Sequence, residues 1–404
     1  MNKRALFLYL VFLCSNSAFA QVVRGVVGHI VSGDPIEFAN VYLANTVTGT
    51  VTDSTGAFVL KGFEPGKYDL TVSFVGFSTY SIPIELGVGQ ELDLNITLHT
   101  EVLSLPEVFI TADTSRWNNY FQVFCNYFLG TTPGSKECKI LNYRSLNFYF
   151  DQSQNTLYAH TREPIKVINN WLGYEIDYDM RSFRMDFDKG RLTCEGVPRF
   201  SCLDPKNRFD AKRWEKNRQL EYTGSLLHFF RSVYADKLKD NQYEVRTIKR
   251  IPDPDRLPEA VVSRKIRFFR SKLEEHKPTN QVCDVNWADS LKRYRQIQAQ
   301  PGFVDIPGNE FASANELIEN SIIAYNGILQ VTYLGEKEHK KYPFKRNSRR
   351  KSGYQRSRLY ITDELKVYEN GYYEDVQSTY VEGYWSWKGS IAGILPMNYR
   401  LPDE

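Results

Sequence analysis

Apolar and polar residues alternate in short runs between residues 21 and 112. The clearest runs lie at 68–74 and 92–98, where every second residue is apolar. A period of two with one polar face is typical of β-strands that pack on one side. Turn residues separate the runs, with Pro-Gly at 65–66 and Asp-Ser-Thr-Gly at 53–56. About seven short strands within about 90 residues predict an all-β sandwich.

After residue 112 helical and strand patterns succeed one another. Four aromatic residues are spaced four, three and four apart, which predicts an amphipathic helix that ends at Gly130. They are Trp117, Phe121, Phe124 and Phe128. A second helical stretch covers residues 207–239, with Thr-Gly-Ser at 223–225 leading into its strongest part. Strand patterns lie at residues 146–151, 156–160, 165–169, 328–334, 358–362 and 365–373, and the runs at 174–180 and 183–187 suggest a paired ladder. Strands, then helices, then strands predict a larger α+β domain at 113–404.

The first twenty residues have the features of a secretory signal peptide. Two basic residues precede an apolar run at 5–13, and Ala-Phe-Ala at 18–20 supplies the small-x-small cleavage pattern. The run is about half the ~20 residues needed to span a bilayer. We therefore expect a mature chain that begins at Gln21. A lipoprotein acylated at Cys14 is the alternative, although Leu13 stands where a small residue is preferred.

No later stretch approaches eighteen consecutive apolar residues, so we expect no transmembrane helix. The sequence thus divides into a signal peptide at 1–20, a sandwich at 21–112 and an α+β domain at 113–404. An exported protein of the periplasm or outer membrane is expected.

The charge of the whole chain is nearly balanced, with 51 Lys and Arg against 48 Asp and Glu. A net charge of +3 gives no field that would recruit nucleic acid, so we expect no nucleic-acid partner. The charge is unevenly placed: residues 21–112 carry 3 basic and 10 acidic residues, and residues 113–404 carry 46 and 38. The opposite signs could make the two domains face each other or could reflect separate origins.

Five cysteines follow the signal peptide, which leaves at least one without an intrachain partner. They are Cys125, Cys138, Cys194, Cys202 and Cys283. Cys194 and Cys202 flank a Gly- and Pro-containing segment that could fold back and bring them together. Cys125 lies in a helical pattern among aromatic residues and is interpreted as a small buried apolar group. No C-x-x-C occurs, so zinc-ribbon and thioredoxin-type chemistry have no support.

The motifs of the N-terminal segment resemble a known domain family. They are G-x-V at 25–27, PIEFANVYL at 35–43, GTVTDSTGAFVL at 49–60, PGKYDLTVSFVGF at 65–77 and L-x-L-x-I-x-L at 92–98. Together they resemble the carboxypeptidase regulatory-like domain, a transthyretin-like sandwich abundant in envelope proteins of the Bacteroidetes. The resemblance implies a non-catalytic accessory fold. Residues 103–112 resemble the tail that often links this domain to the next module.

The second region resembles the uncharacterised part that follows this domain in Bacteroidetes envelope proteins. The matching residues are C-x-I-x-N at 138–142, WLGY at 171–174, Y-T-G-S-x-x-H-F at 222–229, GYWSW at 383–387 and ILPMNY at 394–399. This resemblance implies an architecture and no activity.

His160 and Glu163 form an H-x-x-E motif, the spacing by which zinc carboxypeptidases present two ligands. His228 or His276 would have to supply the third ligand. Pro164 directly follows the motif, and the repeated βα units of such peptidases are missing from the pattern, so we expect no metal, no cofactor and no peptidase activity. His228 itself is interpreted as a partly buried histidine that a polar neighbour satisfies. No G-x-S-x-G, G-x-x-x-x-G-K-[ST] or G-x-G-x-x-G motif occurs.

Two groups of residues are candidates for ligand binding. Residues 337–358 are rich in lysine and arginine, and we select Arg349, Arg350 and Lys351 as an anion-binding patch; the alternative is a solvated loop between two strands. Tyr384, Trp385 and Trp387 lie in an aromatic-rich segment, interpreted as a strand. Their rings could stack on sugars or pack in a core.

The leading hypothesis is a non-enzymatic exported envelope protein that binds or scaffolds a glycan or an envelope protein. The rival hypothesis is a hydrolase with an unrecognised active site in the second domain. A fragment of a TonB-dependent transporter is a third interpretation, which the long helical patterns disfavour because a barrel needs many alternating strands of ~10 residues.

Overall fold

The computed structural model describes residues 21–100, 114–188, 190–275, 287–298, 300, 302–310, 318–319, 322–343, 353–374 and 379–402. Several residues discussed above lie outside these ranges: the expected signal peptide at 1–20, the linker at 103–112, His276, Cys283 and the patch Arg349, Arg350 and Lys351.

Seven strands at the N-terminus form two facing sheets. They are β1 (Val22–His29), β2 (Asn40–Leu43), β3 (Gly49–Val51), β4 (Ala57–Lys61), β5 (Gly66–Ser73), β6 (Tyr80–Leu86) and β7 (Glu91–Leu98). One sheet has the order β4-β1-β7, with β1 and β7 parallel, and the other has the order β3-β2-β5-β6. The alternating apolar residues, such as Val23, Leu70 and Ile96, are buried in one core. The predicted seven-stranded sandwich is confirmed.

The turn at residues 53–56 has the predicted chemistry. Asp53 Oδ1 accepts hydrogen bonds from the backbone N of Thr55 at 2.9 Å and of Ala57 at 3.0 Å. Gly56 has φ of +74°, a conformation that favours glycine.

The second region begins with helix α1 (Thr114–Phe128), which packs on a six-stranded antiparallel sheet. The strands are β8 (Cys138–Ile140), β9 (Asn147–Asp151), β10 (Thr156–His160), β11 (Ile165–Asn169), β12 (Tyr174–Asp186) and β13 (Arg191–Cys202). Strands β11 and β10 lie one after the other along one side of β12, and β13 lies along the other side. Phe124 of α1 contacts Phe183 with ring centroids 4.7 Å apart. The aromatic spacing in α1 is therefore a core face, as predicted.

The expected ladder of residues 174–180 and 183–187 is wrong. These runs form the single strand β12, whose register with β13 shifts between Met180 and Ser182. A bulge absorbs the extra residue Arg181, so the strand continues where a turn was expected. No Gly, Pro or Asn stands at this point to turn the chain.

The remainder of the second region packs helices against a five-stranded sheet. Helices α2 (Arg208–Tyr222) and α3 (Leu226–Tyr234) replace the predicted single stretch, and Gly224, with φ of +72°, separates them. The sheet has the order β15-β14-β18-β19-β21. Its strands are β14 (Tyr243–Pro252), β15 (Phe303–Glu310), β18 (Gly327–Lys337), β19 (Tyr354–Ile361) and β21 (Thr379–Gly383). Phe229 and Phe230 of α3 are fully buried in the core of this part.

Smaller elements complete this part, and two of them differ from expectation. They are α4 (Glu259–Glu275), α5 (Trp287–Gln298), β16 (Ile318–Glu319), β17 (Ile322–Ile323), β20 (Leu365–Lys366) and α6 (Tyr384–Lys388). The strand expected at 365–373 shortens to β20, because the chain turns through Gly371 with φ of +86°. The strand expected around Tyr384 is the short helix α6. A larger α+β region after the sandwich is confirmed.

The sandwich is joined to the second region by hydrogen bonds from distant parts of the chain. Asn370 Nδ2 donates to the carbonyl of Lys67 at 2.8 Å, and Tyr372 OH donates to Asp69 Oδ1 at 3.0 Å. Lys67 also forms an ion pair with Glu374. This ion pair places a sandwich cation against an acid of the second region, so the contacts do not simply follow the opposite net charges.

A C-terminal strap, residues 391–400, runs between the two regions. Met397 N donates to the carbonyl of Asn45 at 2.6 Å. The side chain of Arg400 pairs with Glu64 of the sandwich. On the other side, Asn169 Nδ2 donates to the carbonyl of Ala392 at 3.1 Å. The strap therefore contacts both regions at once.

Candidate ligand-binding cleft

A wide cleft is lined by both large sheets of the second region and encloses about 2530 Å³. One wall is formed by residues 190–197, most of them in β13, together with Arg181 of β12. The opposite wall is formed by β18, β19 and β21. The sandwich reaches the cleft through Asn45 and Asp69. The cleft is therefore a concave surface to which both large sheets and the sandwich contribute.

Alternation in β19 determines which of its side chains face the cleft. Gln355 and Leu359 are buried and do not line the cleft, whereas Arg356 and Arg358 line it. Both arginines belong to the basic stretch at 337–358. The stretch thus ends inside a strand, and its last two arginines are fixed in the cleft wall.

Arg358 is held in an ion-pair network within the protein. Its guanidinium lies 2.7 Å from Asp305 and 3.6 Å from Glu382. Arg250 also bonds Asp305, with Nε 2.7 Å from Oδ1. The hydrogen bond from Arg250, with the charge of Arg358, holds the pKa of Asp305 below its ordinary value. This network holds the cleft wall in place, and its acids compensate much of the positive charge of Arg358.

Arg181 and Arg191 lie on the other wall, and both are exposed. Arg181 occupies the bulge of β12, which is how a side chain in a strand is redirected toward the cleft. The guanidinium of Arg191 lies 5.6 Å from the ring centroid of Tyr380 on β21. Neither arginine has an ion pair with another described residue. They are therefore cations that an acidic ligand can reach.

The predicted aromatic residues are only partly brought to the cleft. Trp387 lines it and packs with Tyr342 and Tyr384. The indole N–H of Trp387 donates to Thr131 Oγ1 at 3.1 Å. Trp385 is 5 % exposed and lies in the core beneath α3, so its ring has no free face for a sugar.

The patch Arg349, Arg350 and Lys351 lies outside the described residues, but the chain on either side of it is placed. Tyr342 and Pro343 before it line the cleft, as do Gly353 and Tyr354 after it. The basic stretch thus leaves and rejoins the described structure at the cleft.

Sequence reasoning did not identify the wall formed by β13. Asn45 N donates to the carbonyl of Pro198 at 2.9 Å, and Phe200 N donates to the carbonyl of Thr46 at 3.0 Å. These bonds fix β13 against the sandwich. The sequence signal was the long alternation of apolar and polar residues in 174–186 without a turn residue. Such an alternation indicates one long strand, which needs a partner strand of similar length.

A buried polar cluster lies behind the cleft. The Nδ1 of His228 accepts from Gly224 N at 3.2 Å and lies 3.0 Å from Tyr243 OH. Burial, reinforced by the charges of Lys388 and Arg231, lowers the pKa of His228 to about 4. His228 is therefore a neutral histidine bonded to polar neighbours, in agreement with the sequence interpretation.

Glu221 and Lys388 form the charged part of this cluster. Lys388 Nζ donates to the carbonyls of Leu220 at 2.7 Å and Thr223 at 2.8 Å and lies 4.0 Å from Glu221. Burial raises the pKa of Glu221 and lowers that of Lys388. Through these hydrogen bonds to carbonyls, Lys388 connects α6 to the end of α2.

The H-x-x-E motif is not brought together with a third ligand. His160 ends β10, and Glu163 Oε1 accepts a hydrogen bond from Asn142 Nδ2 at 3.0 Å. In the described part of the chain, no group of three His, Cys, Asp or Glu side chains is placed to hold a metal ion.

The expected approach of Cys194 and Cys202 is wrong. Both residues lie in the extended strand β13, in register with Phe183 and Tyr174 of β12. Eight residues of strand span roughly 26 Å, far beyond the ~7 Å limit for the Cα atoms of a disulfide. Cys125 packs against the core from α1, as expected.

Comparison with known proteins identifies the N-terminal part. Residues 23–110 match the family described as CarboxypepD_reg-like domain. The TonB-dependent receptor SusC of Bacteroides thetaiotaomicron is 36% identical over 105 residues, which is 26% of this chain and 10% of the receptor. The aligned part thus spans about a tenth of the length of that relative. In the described part of the chain, no helix is sufficiently long and apolar to span a bilayer.

Solved structures give only weak likenesses. A cohesin–X-dockerin complex from Acetivibrio cellulolyticus is 21% identical over 21% of this chain and 61% of that chain, with a TM-score of 0.19. A putative membrane-associated protein of unknown function from Bacteroides fragilis is 10% identical, with 90% of this chain and 93% of that chain covered and a TM-score of 0.16. At these TM-scores neither likeness carries an argument.

Proposed function

We propose that this chain is an exported envelope protein that binds an acidic partner, a glycan or an envelope protein, in the cleft of its second region. In this proposal residues 1–20 are a cleaved signal peptide, residues 21–112 are the sandwich, and residues 113–404 are the binding domain. The protein lies in the periplasm or at the outer membrane and catalyses no reaction on its partner.

The cleft is the observation that carries the proposal. It is larger than the ~300–1,000 Å³ typical of small-molecule sites, which favours a polymer over a metabolite. Arg181 and Arg191 present cations on one wall, and the chain leading to and from the basic patch adjoins the cleft. Acidic groups on the partner would pair with these cations.

The N-terminal match supports the location and the absence of catalysis. A CarboxypepD_reg-like domain is a regulatory and not a catalytic domain, and a related segment occurs in a TonB-dependent receptor. In the described cleft Arg358 forms ion pairs with Asp305 and Glu382, Arg181 and Arg191 are exposed, and the neutral His228 is buried behind the wall. This distribution favours binding over hydrolysis.

The experiment is a binding titration of residues 21–404 with polygalacturonate and with an acidic peptide of alternating threonine and glutamate. The triple variant Arg349→Ala, Arg350→Ala, Lys351→Ala should bind the active probe at least tenfold more weakly. Added salt should weaken binding by the unmodified protein, because exposed charges are screened within ~10 Å at 0.1 M. A melting curve of the triple variant shows whether its fold persists, so that a loss of binding is assigned to the removed charges.

A matched control removes three exposed cations of α4 with Arg264→Ala, Lys265→Ala and Arg267→Ala. The control should bind as the unmodified protein does. Failure of both probes to bind, or equal weakening by the two triple variants, would contradict a binding site at the cleft.

A further inference from the structure

Within the described residues, the side of β13 that faces away from β12 is unpaired over part of its length. Residues 198–200 of this side already bond the sandwich at Asn45 and Thr46. Residues 191–197 line the cleft, and no strand of the described residues pairs with them on this side. We call this stretch the open edge of β13.

The bonds to the sandwich fix which backbone groups of the open edge point outward. The carbonyl of Pro198 and the N–H of Phe200 both point to the sandwich, away from β12. The N–H and C=O of one residue in a strand point the same way, and the direction alternates along the chain. Leu192, Cys194 and Gly196 therefore direct their N–H and C=O groups into the cleft.

An unpaired edge of this kind is a template for another strand. β13 has 12 residues, about twice the usual strand length of ~5–6. Natural edge strands are usually short, interrupted by proline or covered. In β13 the only proline is Pro198, which lies where the hydrogen bonds to the sandwich begin. Among the described residues, the sandwich covers one part of this edge, and no strand covers the part in the cleft.

We infer that the cleft binds an acidic extended polypeptide, which adds a strand to the open edge of β13 through Leu192, Cys194 and Gly196. This inference rests on the proposed function and selects a protein over a glycan. A strand supplies N–H and C=O groups at the spacing that the open edge requires, and a sugar chain does not. Acidic side chains on the added strand would pair with Arg181 and Arg191, two exposed cations that outnumber the one exposed acid of this wall, Glu195.

The test replaces Leu192 by proline and by alanine. Leu192→Pro removes an outward N–H that β12 does not use, and proline is tolerated on the free side of an edge strand. Leu192→Ala keeps this N–H and removes only the side chain. The alternating Thr/Glu peptide should bind the proline variant at least tenfold more weakly and the alanine variant within threefold of the unmodified protein. Melting curves identify any variant that fails to fold.

A second measurement does not depend on the variants. When the peptide is bound, hydrogen exchange should slow at least tenfold at the amides of Leu192, Cys194 and Gly196. Peptides N-methylated at every second amide give a further test: methylation of the odd-numbered or of the even-numbered amides, but not of both sets, should abolish binding. Equal binding by a folded Leu192→Pro variant, or protection confined to other residues, would overturn the inference. Binding of polygalacturonate without binding of the peptide would also overturn it and would leave the proposed function intact.

Discussion

His228 shows how one buried residue ties stability to pH. Its ring is surrounded by Tyr222, Tyr243 and Tyr333, and Lys388 and Arg231 disfavour a second positive charge there. The pKa of His228 is about 4 in the folded chain, against about 6.5 for an ordinary histidine. The folded state therefore takes up a proton less readily than the unfolded state.

We predict that the free energy of unfolding falls as the pH decreases from about 6.5 to about 4. The unfolded chain binds more protons in this range, so stability rises with pH across it and is complete above about 6.5. The effect of His228 is on the order of 3 kcal/mol, from 1.36 kcal/mol for each pKa unit. Urea unfolding at several pH values measures it, and His228→Gln should lose this part of the slope. An equal slope in the variant would refute the assignment.

Strand β13 determines the state of two cysteines. It holds Cys194 and Cys202 roughly 26 Å apart, as the rise of about 3.3 Å per strand residue requires. We predict no disulfide between them after refolding in an oxidising buffer. Peptide mapping of a Cys283→Ser variant tests this prediction. Alkylation should be fastest at the exposed Cys202 and slow at Cys138, because burial raises the pKa of the Cys138 thiol to about 12. A Cys194–Cys202 peptide would show that β13 is not continuous.

The elements that sequence reasoning located are those with an undisturbed period and clear ends. β10 and β11 were placed at their observed bounds, and α1 ends two residues before Gly130, as predicted. The prediction of two paired strands at β12 is wrong, because the chain passes through a bulge there and continues as one strand, with no turn residue. The sequence pattern predicts a strand where α6 lies, because a segment of five aromatic-rich residues is too short to show a helical period. Helices α4 and α5 were not identified.

The cleft was less predictable than the elements around it. Its cations Arg181 and Arg191 are ordinary strand residues in the sequence, and only the bulge and the edge position of β13 bring them to one surface. Trp387 was selected for its ring and does line the cleft. Trp385, two residues earlier, points into the core, because helix α6 separates neighbours that a strand interpretation had grouped. Such placement depends on contacts between residues far apart in sequence.

Arg231 connects the parts of the whole molecule. It is 8 % exposed, and its guanidinium donates to the carbonyls of Tyr399 at 2.8 Å, Asn370 at 3.2 Å and Met397. Asn370 in turn bonds Lys67 of the sandwich. A single buried cation therefore holds the strap and the turn that contacts the sandwich.

We predict that Arg231→Leu lowers the free energy of unfolding by about 2–4 kcal/mol, because several buried carbonyls lose their donor. Arg231→Lys should recover only part of this, since an ammonium lacks the planar fork that reaches several acceptors. Urea unfolding measures both changes. Loss below ~1 kcal/mol in Arg231→Leu would mean that the strap is held by other contacts.

The strap also sets the order in which this chain can assemble. A polypeptide is synthesised from its N-terminus, so the sandwich is complete long before residues 391–400 exist. The hydrogen bond from Val47 N to Asn398 Oδ1 joins residues 351 positions apart, and closing a loop of that length costs about 5 kcal/mol of chain entropy. Contacts so distant in sequence form late and slow the folding rate. The carbonyl of Asn45 therefore lacks its donor, the N–H of Met397, until the strap has been synthesised.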